Sequence, residues 1–259
     1  MPTPDPWQHL KAWTAARIAL GRAGGSLPTR ELLDFSLAHA RARDAVLSEW
    51  DPLELAGQVQ ALGYAVEFAS SAAISRGEYL QRPDLGRRLA EESRQRLAKC
   101  ADGPCDLAIV VSDGLSALAA QRHAVPLLAH LLPILAAESW QIAPIVFVNQ
   151  GRVAIEDEIG ELLQAELALI LLGERPGLGA PDSLGAYLVY RPRVGLTDAQ
   201  RNCVSNIRGE GLPPPVAGAT LHYLLTEARH RKLSGVELKD ERRLSMSPPR
   251  TGGFISPDV

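Results

Sequence analysis

Three short apolar runs, separated by segments of helical length, constrain this chain more than any other feature. Asp106-Leu107-Ala108-Ile109-Val110-Val111, Ile145-Val146-Phe147-Val148 and Leu167 to Leu172 have the length of strands and almost no polar side chains. Helical patterns follow over Leu115 to about Glu138 and over Ile155 to Leu163, the second with Ile155, Ile159, Leu162 and Leu163 on one face. Strands joined by crossover helices pair in parallel, and a strand covered on both faces reads as a continuous apolar run. A fourth run, Ala186-Tyr187-Leu188-Val189-Tyr190, and a last helix from about Pro215 to Arg231 extend the pattern. The expectation is an α/β fold with a Rossmann-like, mainly parallel sheet and a small N-terminal helical region.

That region is read from helical spacing and its punctuation. Trp7 to Arg22 predicts a helix ended by Gly24-Gly25. Thr29 is a candidate N-cap for a second helix, Arg30 to Ser48. Asp51-Pro52 closes it, and a short helix from Leu53 to Leu62 ends at Gly63. Further on, Tyr64 to Phe68 alternates as a short strand, Arg82-Pro83-Asp84 is a turn, and Leu85 to Lys99 reads as a charged amphipathic helix. The chain then divides into a helical region (1–62), an α/β domain (63–238) and a polar tail rich in Ser, Pro and Gly (239–259). The tail is expected to be disordered or lightly held.

Composition excludes several classes. A net charge of −3 over 259 residues gives no basic excess for nucleic acid. Three cysteines, Cys100, Cys105 and Cys203, form neither a disulfide framework nor a zinc spacing, so a reducing cytosol is the natural setting. The N-terminus lacks the charge-then-apolar pattern of a signal peptide. No apolar stretch reaches the roughly 18 to 20 residues of a membrane helix.

In an open parallel sheet, ligands gather at the carboxyl ends of the strands. Ser112-Asp113-Gly114-Leu115-Ser116, Gln150-Gly151-Arg152-Val153 and Gly173-Glu174-Arg175-Pro176-Gly177 fall there. Small and charged residues on such a rim suit a large amide-bearing ligand, and equally suit ordinary loops. Nucleotide-binding glycine motifs and a GxSxG elbow are missing. The six histidines show no paired-ligand spacing, and His123 and His130 are too far apart on one helix for a single metal site. Asp157, Glu158 and Glu161 fit a helix start, where carboxylates favour the macrodipole. Cys203 lies in a stretch more polar than a core usually provides. Ser112, Asp113 and His123 are the groups a free-standing transferase or hydrolase would use, although no nucleophile-and-base signature joins them. A free-standing small-molecule binding protein is a further alternative.

Seven segments, in order, carry a resemblance. They are residues 14–24 with Ser26-Leu27-Pro28-Thr29, His39 to Val46, Tyr79 to Arg87, Ser112 to Ala117, Gly151 to Glu161, Gly173 to Leu178, and Cys203-Val204-Ser205-Asn206-Ile207-Arg208. Together, across about residues 10 to 238, they resemble the ethanolamine ammonia-lyase small-subunit family. The resemblance implies a lyase that converts ethanolamine to acetaldehyde and ammonia with adenosylcobalamin. It implies a catalytic TIM-barrel large subunit as obligate partner in a higher hetero-oligomer. The small chain, inactive alone, would cover the cofactor at the subunit interface. Cofactor contacts carry over to Val153, Glu174 and Cys203. Val153 would offer backbone and apolar surface to the corrin. Glu174 would accept hydrogen bonds from its side amides or nucleotide tail, and Cys203 would pack as a soft small group rather than ligate cobalt. The base-off signature DxHxxG is missing, which agrees with a cofactor that keeps its own base on cobalt. No catalytic residue and no metal ligand is assigned to this chain. The resemblance admits a bacterial microcompartment as well as the cytoplasm, although the N-terminus is short beside members with a targeting extension.

Overall fold

The structure is a computed structural model and describes residues 5–14 and 16–242. Helices α1 (Thr29–Leu47) and α2 (Pro52–Ala61) precede β1 (Val66–Ser70), α3 (Arg76–Gln81) and α4 (Glu91–Leu97). Then come β2 (Cys105–Ser112), α5 (Ala117–Ala137), β3 (Ile145–Asn149), α6 (Ile155–Leu162) and β4 (Ala165–Gly173). The chain continues through β5 (Leu184–Tyr190), β6 (Arg201–Ile207) and α7 (Pro214–Arg231).

The expected α/β class is seen, with a correction to the sheet. Its order is β1-β3-β2-β4-β5-β6; the three pairings among β1 to β4 are parallel, but β4–β5 and β5–β6 are antiparallel. The physical reason is loop length. Ten residues, 174–183, separate β4 from β5, too few for the helical crossover a parallel pair requires.

Alternate residues of each buried strand feed two cores. Leu107, Ile109 and Val111 of β2 pack with Leu127, Leu131 and Leu135 of α5, Leu221 and Leu225 of α7, and Leu55 and Val59 of α2. Ala108 and Val110 pack on the other face with Ile155 and Ile159 of α6 and Leu97 of α4. The inner strands β2 to β5 read as apolar runs because both their faces are covered.

Three local expectations are overturned. Trp7 to Arg22 is only a 3-10 turn over Gln8–Trp13, with an extended residue at Thr14 and positive φ at Ala19. No residue of that turn is buried, and a short helix without a packing surface is marginal in water. The helix read over Leu85 to Lys99 is split, because Leu89 turns inward to bridge Ser71 and is buried. The Leu89 amide donates to Glu158 Oε2 at 2.8 Å. Thr29 is the first residue of α1 rather than its cap, and Pro28 stands at the cap without a side-chain bond. Asp51, by contrast, caps α2 through the Leu53 and Glu54 amides. Of the tail, Arg242 holds to α7 by hydrogen bonds to Ala219 O and Thr220 Oγ1; residues 243–259 lie outside the described residues.

The acidic start of α6 does more than complement a dipole. Glu158 pairs with Arg94, and Glu156 and Asp157 meet Arg201 of β6, all three acids being buried. Desolvation drives the Glu156 carboxyl well above the usual carboxylate range, against the pull of Arg201 and with the push of Asp157. A raised folded pKa means that its stabilising share is whole below the ordinary glutamate value and is lost as pH rises through the folded one. Glu156→Gln removes that loss. Its melting temperature relative to wild type should therefore shift in the variant's favour between about pH 5 and about pH 8, read by circular dichroism. A difference independent of pH contradicts a Glu156 carboxyl raised by burial.

Candidate functional site

Parallel β1 to β4 bring their carboxyl ends to one rim. Two exits touch there through bare backbone. Gly114 has φ +54°, and a Cβ on it would sit 2.3 Å from Gly173 O; one on Gly173 would lie 2.0 Å from Ser116 O. The Leu115 amide donates to Gly173 O at 2.8 Å across this junction.

Beneath the rim, Asp113 is buried and fully engaged. Its Oδ1 accepts from the Gln150 amide at 2.6 Å and from Ser112 Oγ at 3.1 Å, and its Oδ2 accepts from Arg76 Nη1 at 2.9 Å. Arg76 also donates to Gly114 O and to Val46 O of α1, so the rim is tied to the N-terminal helix. Burial raises the Asp113 carboxyl, partly offset by Arg76. Ser112 Oγ in turn accepts from the Gly151 amide at 3.0 Å. His123 pairs with Asp182 at 3.3 Å instead of with Ser112. Ser112, Asp113 and His123 thus form no nucleophile–base relay; the first two are structural.

Above this network opens a shallow cavity of about 390 Å³, lined by Tyr79, Leu115, Arg152, Val153, Leu172, Gly173, Glu174, Arg175 and Tyr187. Tyr79 comes from α3. Its hydroxyl donates to Gly151 O at 3.0 Å, and the guanidinium groups of Arg76 (4.9 Å) and Arg152 (4.2 Å) both stand over its ring. Burial raises its hydroxyl far above the ordinary phenol range. Arg152 Nη2 donates to Tyr79 O, while Arg152 Nε is buried with no partner.

Val153 and Glu174, two of the three residues expected at a cofactor, line this one cavity. Glu174 is held by three donors: Ser183 Oγ and Ser205 Oγ at 2.5 Å each, and the Asn206 amide at 3.2 Å. Most of its accepting capacity is therefore spent inside the chain, which fixes the carboxylate at the rim. Cys203 is not in the lining. It stands directly across β5–β6 from Tyr187, which is, and it is exposed on the strand edge. Desolvation around the sulfur nevertheless pushes the thiol up, so it is a thiol and not a thiolate. Tyr79 and Tyr187 line the cavity too, and sequence reading does not single them out. Tyr79 precedes the Arg82-Pro83-Asp84 turn, and Tyr187 sits inside an apolar run; neither position carries a local sign of a cavity.

Apolar walls (Leu115, Val153, Leu172, Tyr187) beside charged groups and an orphaned guanidinium donor suit a plate-like ligand with an amide-bearing edge. The volume is small for a corrin and its mouth is open, so one edge could rest here while another surface covers the remainder. No cluster of three or more His, Cys, Asp or Glu that could hold a metal exists among the described residues. Nor is any described helix long and apolar enough to cross a membrane.

The family model for the ethanolamine ammonia-lyase light chain matches residues 4–239. The chain belongs to that family. Among similar proteins, a small subunit of ethanolamine ammonia-lyase from Xanthomonas campestris is 58% identical, over 93% of this chain and 89% of its own length. One from Azotobacter vinelandii is 57% identical over 98% and 96%, and one from Pseudomonas aeruginosa 56% over 97% and 94%. Light-chain membership fits a half-open cavity without a catalytic relay.

Proposed function

We propose that this chain is the small subunit of an adenosylcobalamin-dependent ethanolamine ammonia-lyase, and that its rim covers the cofactor against a TIM-barrel large subunit in a higher hetero-oligomer. The observation that carries this reading is the half-open cavity, which gathers Val153 and Glu174 and faces outward beside Cys203. When bound, the cofactor supplies the radical that starts the rearrangement. This chain's residues bind and orient. Val153, Leu115 and Tyr187 offer apolar surface, Arg152 and Arg175 offer donors, and Glu174 keeps what accepting capacity its three internal bonds leave. The four parallel strands with helices on both faces support a Rossmann-like description of the domain over 63–238.

Residues 1–62 are the proposed docking region. Helix α1 buries only Ala38 and Ala45, while Leu32, Leu33, Phe35 and Leu37 stand exposed, as do Trp7 and Trp13, the latter 84% exposed. Arg17, Asp34, Leu37 and Arg41 share a groove with Leu178, Gly179, Pro181 and Asp182, in the loop that begins at Glu174. A large chain covering the cavity would meet this apolar face as well.

Equilibrium dialysis of hydroxocobalamin against the assembled complex tests the cofactor reading. Glu174→Ala frees the Ser183 and Ser205 hydroxyls and should weaken binding about tenfold, with Cys203→Ala smaller in effect. Unchanged dissociation constants in both variants contradict the cavity as the cofactor contact.

A further inference from the structure

Arg201 opens β6 and reaches to the first turn of α6. Its Nη1 donates to Glu156 Oε1 at 2.8 Å and to Asp157 Oδ1 at 2.7 Å, and its Nη2 to Asp157 Oδ2 at 2.6 Å. Leu196 O accepts a further, longer bond at 3.3 Å. The side chains of Arg201, Glu156 and Asp157 are 2%, 0% and 2% exposed. Glu156 Oε2 and Arg201 Nε are buried without hydrogen-bond partners; the nearest acid to that Nε is Asp198 at 3.9 Å.

Stability alone does not explain three buried ionisable groups with two orphaned atoms. Desolvation offsets most of the attraction in such a cluster, and well-packed apolar residues hold a helix on a strand as firmly. What a bidentate guanidinium adds is a fixed distance and direction. Its ends show what is fixed. The Glu156 amide donates to Val153 O at 3.2 Å, so the turn that carries both acids is built on Val153. On β6, Cys203 and Ser205 follow Arg201 at alternate positions, and Ser205 bonds Glu174. Because β6 is the edge of the sheet, no outer strand holds it in place. Arg201 bridges the Val153 side of the cavity to its Cys203 and Glu174 side.

We propose that Arg201, gripped by Glu156 and Asp157, is a positioning residue for the cofactor site, setting the spacing of Val153 against Cys203 and Glu174. The proposal rests on the cofactor reading of that cavity. None of the hydrogen bonds of Arg201 goes to a residue of the cavity lining, so it acts through the elements it joins. Asp157 takes two of the strong bonds; Glu156, buried with one oxygen idle, takes one. Substituting the first should matter more than the second.

The test uses the complex of this chain with its large subunit, with hydroxocobalamin as the probe. Arg201→Lys keeps the charge and loses the fork; Asp157→Asn keeps the shape and loses the charge. Both should weaken cobalamin binding in equilibrium dialysis about tenfold, and Glu156→Gln by about threefold or less. The turnover number at saturating adenosylcobalamin should stay within about twofold of wild type while the KM for cofactor rises, a split that general damage to the fold does not produce. Should Arg201→Lys fail to assemble, Asp157→Asn carries the same readings. A wild-type dissociation constant in whichever of these two assembles, with Glu174→Ala weakened, overturns the proposal alone. A wild-type complex that binds no hydroxocobalamin overturns the cofactor reading and this proposal with it.

Discussion

Replacing Gly173 with alanine is expected to lower the stability of this chain by more than about 4 kcal/mol, a fall in melting temperature of about 10 °C or more at this size. The new Cβ would lie 2.0 Å from Ser116 O and 2.6 Å from Asp113 O. Both neighbours are backbone, so no side chain can swing aside. Relief requires β4 to move away from β2 where the Leu115 amide bonds Gly173 O. Those strands are central and paired over Cys105 to Ser112, so the movement breaks ladder bonds or opens the core. Gly179, on the exposed loop beyond, is the control, since a Cβ there meets nothing within 4 Å. Thermal melts of Gly173→Ala and Gly179→Ala check this directly. A Gly173→Ala melt within a few degrees of wild type contradicts the close approach of the two strand exits.

The second large effect concerns assembly. Aspartate at both Leu33 and Phe35 should leave this chain folded yet weaken its complex with a large subunit by about a thousandfold, taking roughly 2 kcal/mol for each central apolar anchor lost. Both side chains are exposed in the isolated chain, Leu33 by 62%, so the double variant disturbs no core. Circular dichroism should be unchanged, and the isolated chain should be more soluble because an apolar patch is broken. Sedimentation velocity of the mixed subunits reads the complex. Wild-type association by the double variant contradicts docking through α1.

The same exposed helix shows where sequence reading succeeds and where it stops. Strands β2, β3, β4 and β5 are legible because burial on both faces leaves runs such as Leu107 to Val111 with no polar interruption. Strand β6 is not legible. It lies at the edge, and only Arg201, Val204 and Ile207 point inward, with a register shift opposite Leu184 and Ala186 that breaks any period of two. Helical spacing over Trp7 to Arg22 lacks the surface a helix needs, so the pattern stays unrealised in the single chain. Val153, Glu174 and Cys203 are legible only through resemblance; strand-end position alone points to the segments of Val153 and Glu174 and passes over Cys203. The Arg201 cluster joins residues 45 and 44 positions apart, and no local motif announces such a pairing. Tyr79 is hidden for a different reason: α3 spans only six residues, too short for a periodic signal.

The most direct measurement is a reconstitution. This chain, a candidate large subunit, adenosylcobalamin and ethanolamine are combined, acetaldehyde is followed through an alcohol dehydrogenase couple, and each component is omitted in turn. Acetaldehyde is predicted only when both chains and the cofactor are present. Equal acetaldehyde formation with this chain left out would contradict its role as the subunit that completes the cofactor site.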